Sequence, residues 1–150
     1  MNTNLMFSSN TDKWATPQKF FDELDREFHF TLDPCADASN HKCDYYFTKE
    51  QNGLLQDWSG ETVFCNPPYG NKETGAWTQK CYEEAQKPGT TVVLLIPART
   101  DRKSFHDYIY GKAEIRFVKG RLKFGDGKNA APFPSMVCVF KGRKDDGKSD

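Results

Sequence analysis

No stretch of this 150-residue chain is apolar over the ~20 consecutive residues that cross a bilayer; the longest run, "TVVLLIPA" at 91–98, has the length of one buried strand. The opening "MNTNLMFSSNTD" has neither the basic start nor the apolar middle of a secretory signal, so a cytoplasmic location and no membrane contact are expected. Paired cysteine signals are also missing. Cys35, Cys43, Cys65, Cys81 and Cys138 are odd in number and include no CxxC, which argues against a disulfide framework and a standard zinc site. Cys35, His41 and Cys43 lack a second ligand pair, and no metal is expected. There is no charge excess of either sign, with 21 basic and 21 acidic residues, so any nucleic-acid surface has to be local. Two groups are candidates, Lys119, Arg121, Lys123 and Lys128 in one and Arg99, Arg102 and Lys103 in the other; solvated charges at a sheet edge and a helix start are the plainer reading of each.

What is present suffices for a core. The residues are 37% hydrophobic and 14% aromatic, enough apolar surface to offset chain entropy. One domain over 13–142 is expected, with a flexible start at 1–12 and a disordered tail, "RKDDGKSD", at 143–150.

Thr16-Pro17 reads as a helix start, Thr16 able to cap and Pro17 preset for the first turn, and Phe20, Phe21, Leu24 and Phe28 then recur at helical spacing. Phe28, Phe30 and Leu32 alternate into a short strand that ends at Asp33-Pro34, because proline cannot continue a central ladder. Residues 37–61 carry a short strand at Tyr45-Tyr46-Phe47 and a turn at Asn52-Gly53. "ETVFC" is a strand, "GNKETG" a loop, and the helix after it sets Trp77, Cys81 and Ala85 four residues apart. "TVVLLIP" shows no polar alternation, as a strand buried on both faces requires. A short helix passes through Phe105, Tyr108 and Ile109, and the last third holds two β segments, "AEIRFVKGRLKF" and "PSMVCVFKG", joined by "GDGKNAAPFP". The alternation predicts an α/β domain, a mostly parallel sheet closed by an antiparallel C-terminal strand pair. Its ligand crevice would lie beyond the carboxyl ends of the strands, where Asp33-Pro34-Cys35-Ala36, Asn66-Pro67-Pro68-Tyr69 and Arg99 fall.

Tandem prolines fix the backbone and remove two N–H donors, leaving carbonyls as acceptors with no donor beside them. With the Asn66 oxygen added, this rim can accept both hydrogens of an exocyclic amine, and Tyr69 offers a ring face on which an extruded base can stack. Held out of the base plane, the hydrogens leave the nitrogen lone pair exposed to a methyl donor. Positioning and stabilisation of positive charge then matter more than a strong base.

Asn66-Pro67-Pro68-Tyr69 resembles the D/N/S-P-P-Y/F/W motif of amino-group methyltransferases. With "WATPQKFFDEL", "FTLDPCAD", "NGLLQDW", "VFCNPPYG", "VVLLIPARTD" and "GRLKFG…APFPS", the chain resembles the phage and prophage DNA N-6-adenine-methyltransferase (Dam-type) family from Trp14 to Phe140. The resemblance implies a Rossmann-like class I methyltransferase fold and transfer of a methyl group from S-adenosylmethionine to the N6 amine of a flipped adenine in DNA. The location implied for a phage-encoded chain is the host cytoplasm. It implies catalytic roles for Asn66, Pro67, Pro68 and Tyr69. Asp33, with Cys35 and Ala36, would stand in the first cofactor motif, Asp33 facing the methionine ammonium. Thr16 and Pro17 would lie across the pocket at the methionine carboxylate, and Asp57 would accept from the cofactor's adenine amine. Asp37 and Asp44 remain alternatives for the ribose.

Plainer readings stand beside these: Asp33 closing a turn, Thr16 as a helix cap, Asp57 in a surface loop, Tyr69 in the core, though its place after two prolines argues against burial. Phe124 and Phe133 would supply the second face of a base sandwich, or simply pack in the core, and Arg99 and Arg121 are the candidate contacts to DNA. No segment is long enough for a separate target-recognition domain, so DNA reading falls to "GNKETG" and "GDGKNAAPFP", which favours low specificity, a short recognition sequence or a protein partner. The alternatives are a methyltransferase acting on another planar amine, an RNA base or a protein glutamine, and a non-catalytic nucleic-acid-binding module of the same fold.

Overall fold

The structure, a computed structural model, describes residues 14–125 and 129–142; the expected flexible start at 1–12, the tail at 143–150 and Lys128 lie outside the described residues. The spaced aromatic residues of the first helix do form its inner side: α1 (Gln18–Phe28) buries Phe21 and packs Phe20, Leu24 and Phe28 against the core. Pro17 is the residue before this helix, with ψ 133°, and no side chain caps it. The expected Thr16 cap is therefore not made, because the Thr16 hydroxyl is committed to Asn66. α1 ends at His29, whose φ of 59° turns the chain while its N–H reaches the Asp25 carbonyl.

Six strands form one sheet: β1 (Leu32–Asp33), β2 (Tyr45–Tyr46), β3 (Thr62–Cys65), β4 (Thr91–Pro97), β5 (Glu114–Phe117) and β6 (Ser135–Lys141). Their order is β2-β1-β3-β4-β6-β5, with the first four parallel and β6 antiparallel to both neighbours. This is the mostly parallel α/β sheet with an antiparallel C-terminal pair that the sequence pattern predicts, and it suits a Rossmann-like methyltransferase fold. β4 lies between a parallel and an antiparallel neighbour and is buried from Val92 to Pro97, which explains its unbroken apolar run. Successive residues of β3 serve opposite faces: Phe64 packs against Phe21 and Phe30, and Cys65 contacts Cys81 of α2 (Asn71–Glu84).

Three expectations change. "GNKETG" is not a loop: α2 starts at Asn71 and contains Gly75. Gly70 stays extended at φ −62° and ψ 151°, Glu73 suits the positive end of the helix, and the Thr74 hydroxyl donates to the Pro68 carbonyl at 2.9 Å, binding the first turn to the prolines. "AEIRFVKGRLKF" is strand only over Glu114–Phe117, and Gly120 at φ 77° turns the chain away. The helix near Tyr108 is a single π-helical turn, Phe105–Ile109.

Within 37–61, a 3₁₀ turn (Gly53–Leu55) follows Asn52, whose φ is 56° and whose side chain accepts from the Leu54 N–H. Gly53 is required by close approach, since a Cβ there would run into the Pro34 carbonyl. Trp58 is fully buried beneath, its indole N–H donating to the Gly53 carbonyl at 3.1 Å. Among the described residues no helix is long and apolar enough to cross a membrane.

Candidate active site

β1 connects onward to β2 on one side of the sheet and β3 to β4 on the other, so the chain order reverses between β1 and β3. Crevices at such reversals, beyond the carboxyl ends of the strands, are where open α/β sheets hold ligands. Asp33 ends β1 and Asn66 follows β3, and a cavity of about 190 Å³ opens between them. Thr16, Asp33, Cys35, Ala36, Asn66, Pro67 and Pro68 all reach its wall, as the sequence motifs imply.

The Asn66 amide is held from three sides. Its nitrogen donates to the Trp14 carbonyl and to Thr16 Oγ1 (2.9 Å), and its oxygen accepts from the Tyr69 hydroxyl. The Trp14 carbonyl only accepts, so it decides which end of the amide faces it: the nitrogen points to the Trp14–Thr16 segment and Oδ1 away from it. Tyr69 also lies 3.0 Å from the Leu95 carbonyl, so its single proton is shared between two acceptors. Burial pushes its ionisation well above the usual tyrosine range, and the phenol acts as a neutral donor rather than a base. The two proline carbonyls differ. That of Pro68 is taken by Thr74, whereas no described residue donates to that of Pro67.

Tyr69 does not show an open face, contrary to expectation. Its hydroxyl reaches back over β4 to Leu95, which draws the ring into the core at 9% exposure. Phe133 and Phe124 meet it edge-on, with centroids at 5.7 and 6.1 Å, and Trp14 stands edge-on to both. These rings close on one another without a parallel gap for a base. Arg99 lies over the Phe133 ring at 5.7 Å and so borders this cluster, while Arg121 donates to the Ala131 carbonyl at 3.3 Å.

Asp33 is buried, and its two carboxylate oxygens accept separately from the N–H of Cys35 (3.2 Å) and of Lys42 (2.8 Å). It therefore closes the loop after β1, as the plain turn reading has it, while also lining the cavity. Burial raises its pKa against the pull of these hydrogen bonds. Cys35 Sγ sits 3.6 Å from Cys65 Sγ, and burial pushes both thiols up, so neither is a thiolate nucleophile at neutral pH. Ala36 donates its N–H to the Phe47 carbonyl, which joins the loop to the end of β2.

Of the two carboxylates left open for a ribose, Asp37 lines the cavity and Asp44 does not. Pro17 is also outside the wall. Asp57 is not brought to the cavity: it precedes β3, at the opposite end of the sheet, and its exposed carboxylate pairs with Lys87 at 2.9 Å and accepts from Ser59, contacts that hold its pKa well below the ordinary carboxylate range. The structure adds Trp14, Asn40 and Lys42 to the wall. Trp14 shows in the sequence only as the start of a motif; Lys42 lies in the stretch with no periodicity to read. Together the wall offers carboxylates to a cation and an ammonium and a hydroxyl to an anion, a set suited to the charged amino-acid end of a ligand.

The DNA N-6-adenine-methyltransferase (Dam) family model matches residues 3–146. The chain is 30% identical over 150 aligned positions to the DNA N-6-adenine-methyltransferase of Haemophilus phage HP1, covering 91% of this chain and 86% of that protein. It is also 26% identical over 113 positions to the DNA N-6-adenine-methyltransferase of Escherichia phage T1, covering 74% of this chain and 46% of that protein.

Proposed function

The chain belongs to the DNA N-6-adenine-methyltransferase (Dam) family, and on that premise we propose that it transfers the methyl group of S-adenosylmethionine to the N6 amine of an adenine flipped out of duplex DNA. The observation that carries this reading is the pairing of a fixed Asn66 amide with an uncommitted Pro67 carbonyl beside a carboxylate-lined cavity.

The wall fits the cofactor by its donor set. Asp33 would face the amino-acid ammonium, Thr16 and Lys42 its carboxylate, and Asp37 the ribose hydroxyls, all from side chains that line the cavity. When bound, S-adenosylmethionine supplies a methyl group on a positively charged sulfur. Asn66 Oδ1 and the Pro67 carbonyl accept the two amine hydrogens, which holds them out of the base plane and frees the nitrogen lone pair. The same two oxygens stabilise the positive charge that grows on nitrogen as it takes the methyl group; the sulfur–methyl bond would break to leave a neutral thioether, and one of the two amine hydrogens would then leave as a proton to water. Tyr69 keeps its proton and steadies Asn66.

In a duplex that amine is paired, so the base is extruded at a cost of a few kcal/mol, least where pairing is already weak. Entry of the base then moves Phe124 or Phe133 off Tyr69, opening the slot that the free protein keeps closed. Target reading falls to the surface around this mouth or to a protein partner.

Incubation with methyl-labelled S-adenosylmethionine and, separately, duplex DNA, RNA or whole-cell protein tests the substrate class. Label in DNA supports the reading; label only in RNA or protein overturns it.

A further inference from the structure

A second concavity, of about 470 Å³, lies between the first turns of α2 and the segment that follows β4. Lys72 and Asn71 line it from α2, and Arg102, Lys103, Ser104 and Tyr108 from the other side. The one acid in the wall, Asp107, is paired with Lys103 at 2.5 Å, whereas the side chains of Lys72, Arg102, Asn71 and Ser104 and the Tyr108 hydroxyl have no hydrogen-bond or ion-pair partner among the described residues. Gly75 and Ala76 leave the floor low: a Cβ on Gly75 would be 3.9 Å from Ser104, in ordinary contact.

Its position matters as much as its charge. α2 begins two residues after Tyr69, and Arg102 follows the carboxyl end of β4, so the groove opens at the same end of the sheet as the amine site. In a chain whose net charge is zero, unpaired cations gathered next to that site are a local feature. Lysine, arginine, asparagine, serine and tyrosine are the side chains that contact DNA phosphates.

We propose that this groove holds the phosphate backbone of the DNA strand next to the flipped adenine, with phosphate oxygens on Lys72 and Arg102 and neutral contacts from Asn71, Ser104 and Tyr108. The proposal rests on the reading of the protein as a DNA adenine methyltransferase, and it adds the surface that fixes the duplex while the base is out. The stretch "GNKETG" thus acts on DNA as the start of a helix that lines a phosphate groove, not as a base-reading loop.

Binding of a fluorescent duplex is measured across a salt series for the wild type, for Lys72→Gln with Arg102→Gln, and for Asp107→Asn. Each phosphate contact contributes about −0.9 to the slope of log K against log salt, so the double variant has a slope shallower by about two and loses about tenfold less affinity between about 50 and about 200 mM salt. Asp107→Asn frees Lys103 and steepens the slope. KM for DNA rises in the double variant, while S-adenosylmethionine affinity and melting temperature stay at the wild-type values. Wild-type methylation of DNA adenine together with an unchanged slope in the folded double variant overturns the groove and leaves the function standing. A wild type that neither binds nor methylates DNA overturns the function and the groove with it.

Discussion

Thr16 Oγ1 accepts the Asn66 amide N–H at 2.9 Å, and this bond joins the segment before α1 to the residue that follows β3, fifty positions away. It explains why Thr16 does not cap its helix: a hydroxyl with an available helix N-terminus instead sets the rotation of a side chain. One such bond is worth about 1 kcal/mol, or about fivefold in rate if it holds Asn66 only in the reactive geometry. Thr16→Val is expected to lower kcat by about that factor, and Thr16→Ser, which keeps the hydroxyl, to restore it. Equal kcat for valine and serine would show that Thr16 does not set the Asn66 amide.

Asn66→Asp follows from the same geometry. Aspartate occurs at this place in the motif that the chain resembles, yet here it would turn a carboxylate oxygen toward the Trp14 carbonyl, acceptor against acceptor. Relief by rotation would carry the substrate-facing oxygen with it. A misplaced acceptor costs about 1–3 kcal/mol, so kcat is expected to fall about fivefold to about 150-fold. Steady-state kinetics at saturating cofactor checks this, and an Asn66→Asp enzyme as fast as wild type would mean that Trp14 does not govern the amide.

Asp33 predicts a pH dependence. Burial raises its pKa in the folded protein, so its contribution to stability is full below the pKa of an unfolded aspartate and is lost as pH rises through the folded value. Binding a cationic cofactor requires the ionised form. Calorimetric affinity for S-adenosylmethionine is therefore expected to fall, on acidification, at a pH above the ordinary aspartate range near 3.8. Asp33→Asn should bind weakly and lose this acid limb; a variant that keeps it would assign the titration to another group.

Asp57 supplies a negative control with content. It pairs with Lys87 at the amino end of β3, away from the cavity. Asp57→Ala is expected to leave S-adenosylmethionine affinity within about twofold of wild type, which is below the loss of a single hydrogen bond of about 1 kcal/mol. A tenfold loss would return Asp57 to the cofactor's adenine.

Much of the site is legible in the sequence because proline punctuates strands. Asp33-Pro34 and Asn66-Pro67-Pro68 end neighbouring parallel strands, and an α/β alternation is enough to bring two such ends to one crevice. "TVVLLIP" is legible as a central strand for the same reason that it is buried on both sides. Other features depend on tertiary partners. The turn-forming residues of "GNKETG" become helix because Thr74 bonds to Pro68, Tyr69 is drawn inside by Leu95, and Asp57 is oriented by Lys87. The wall contributed by Lys42 has no signal at all in a stretch held together by backbone bonds to Asp33.

The role proposed for Asn66 and the Pro67 carbonyl is to hold an adenine amine for methylation. Duplex DNA incubated with S-adenosylmethionine and either wild type or Asn66→Ala, then digested to nucleosides and analysed by mass spectrometry, tests that role. N6-methyladenine is expected with wild type and none above background with Asn66→Ala, although that variant still binds cofactor. N6-methyladenine at wild-type levels from Asn66→Ala would overturn the role of Asn66, and methylated cytosine in place of adenine from the wild type would overturn the adenine substrate.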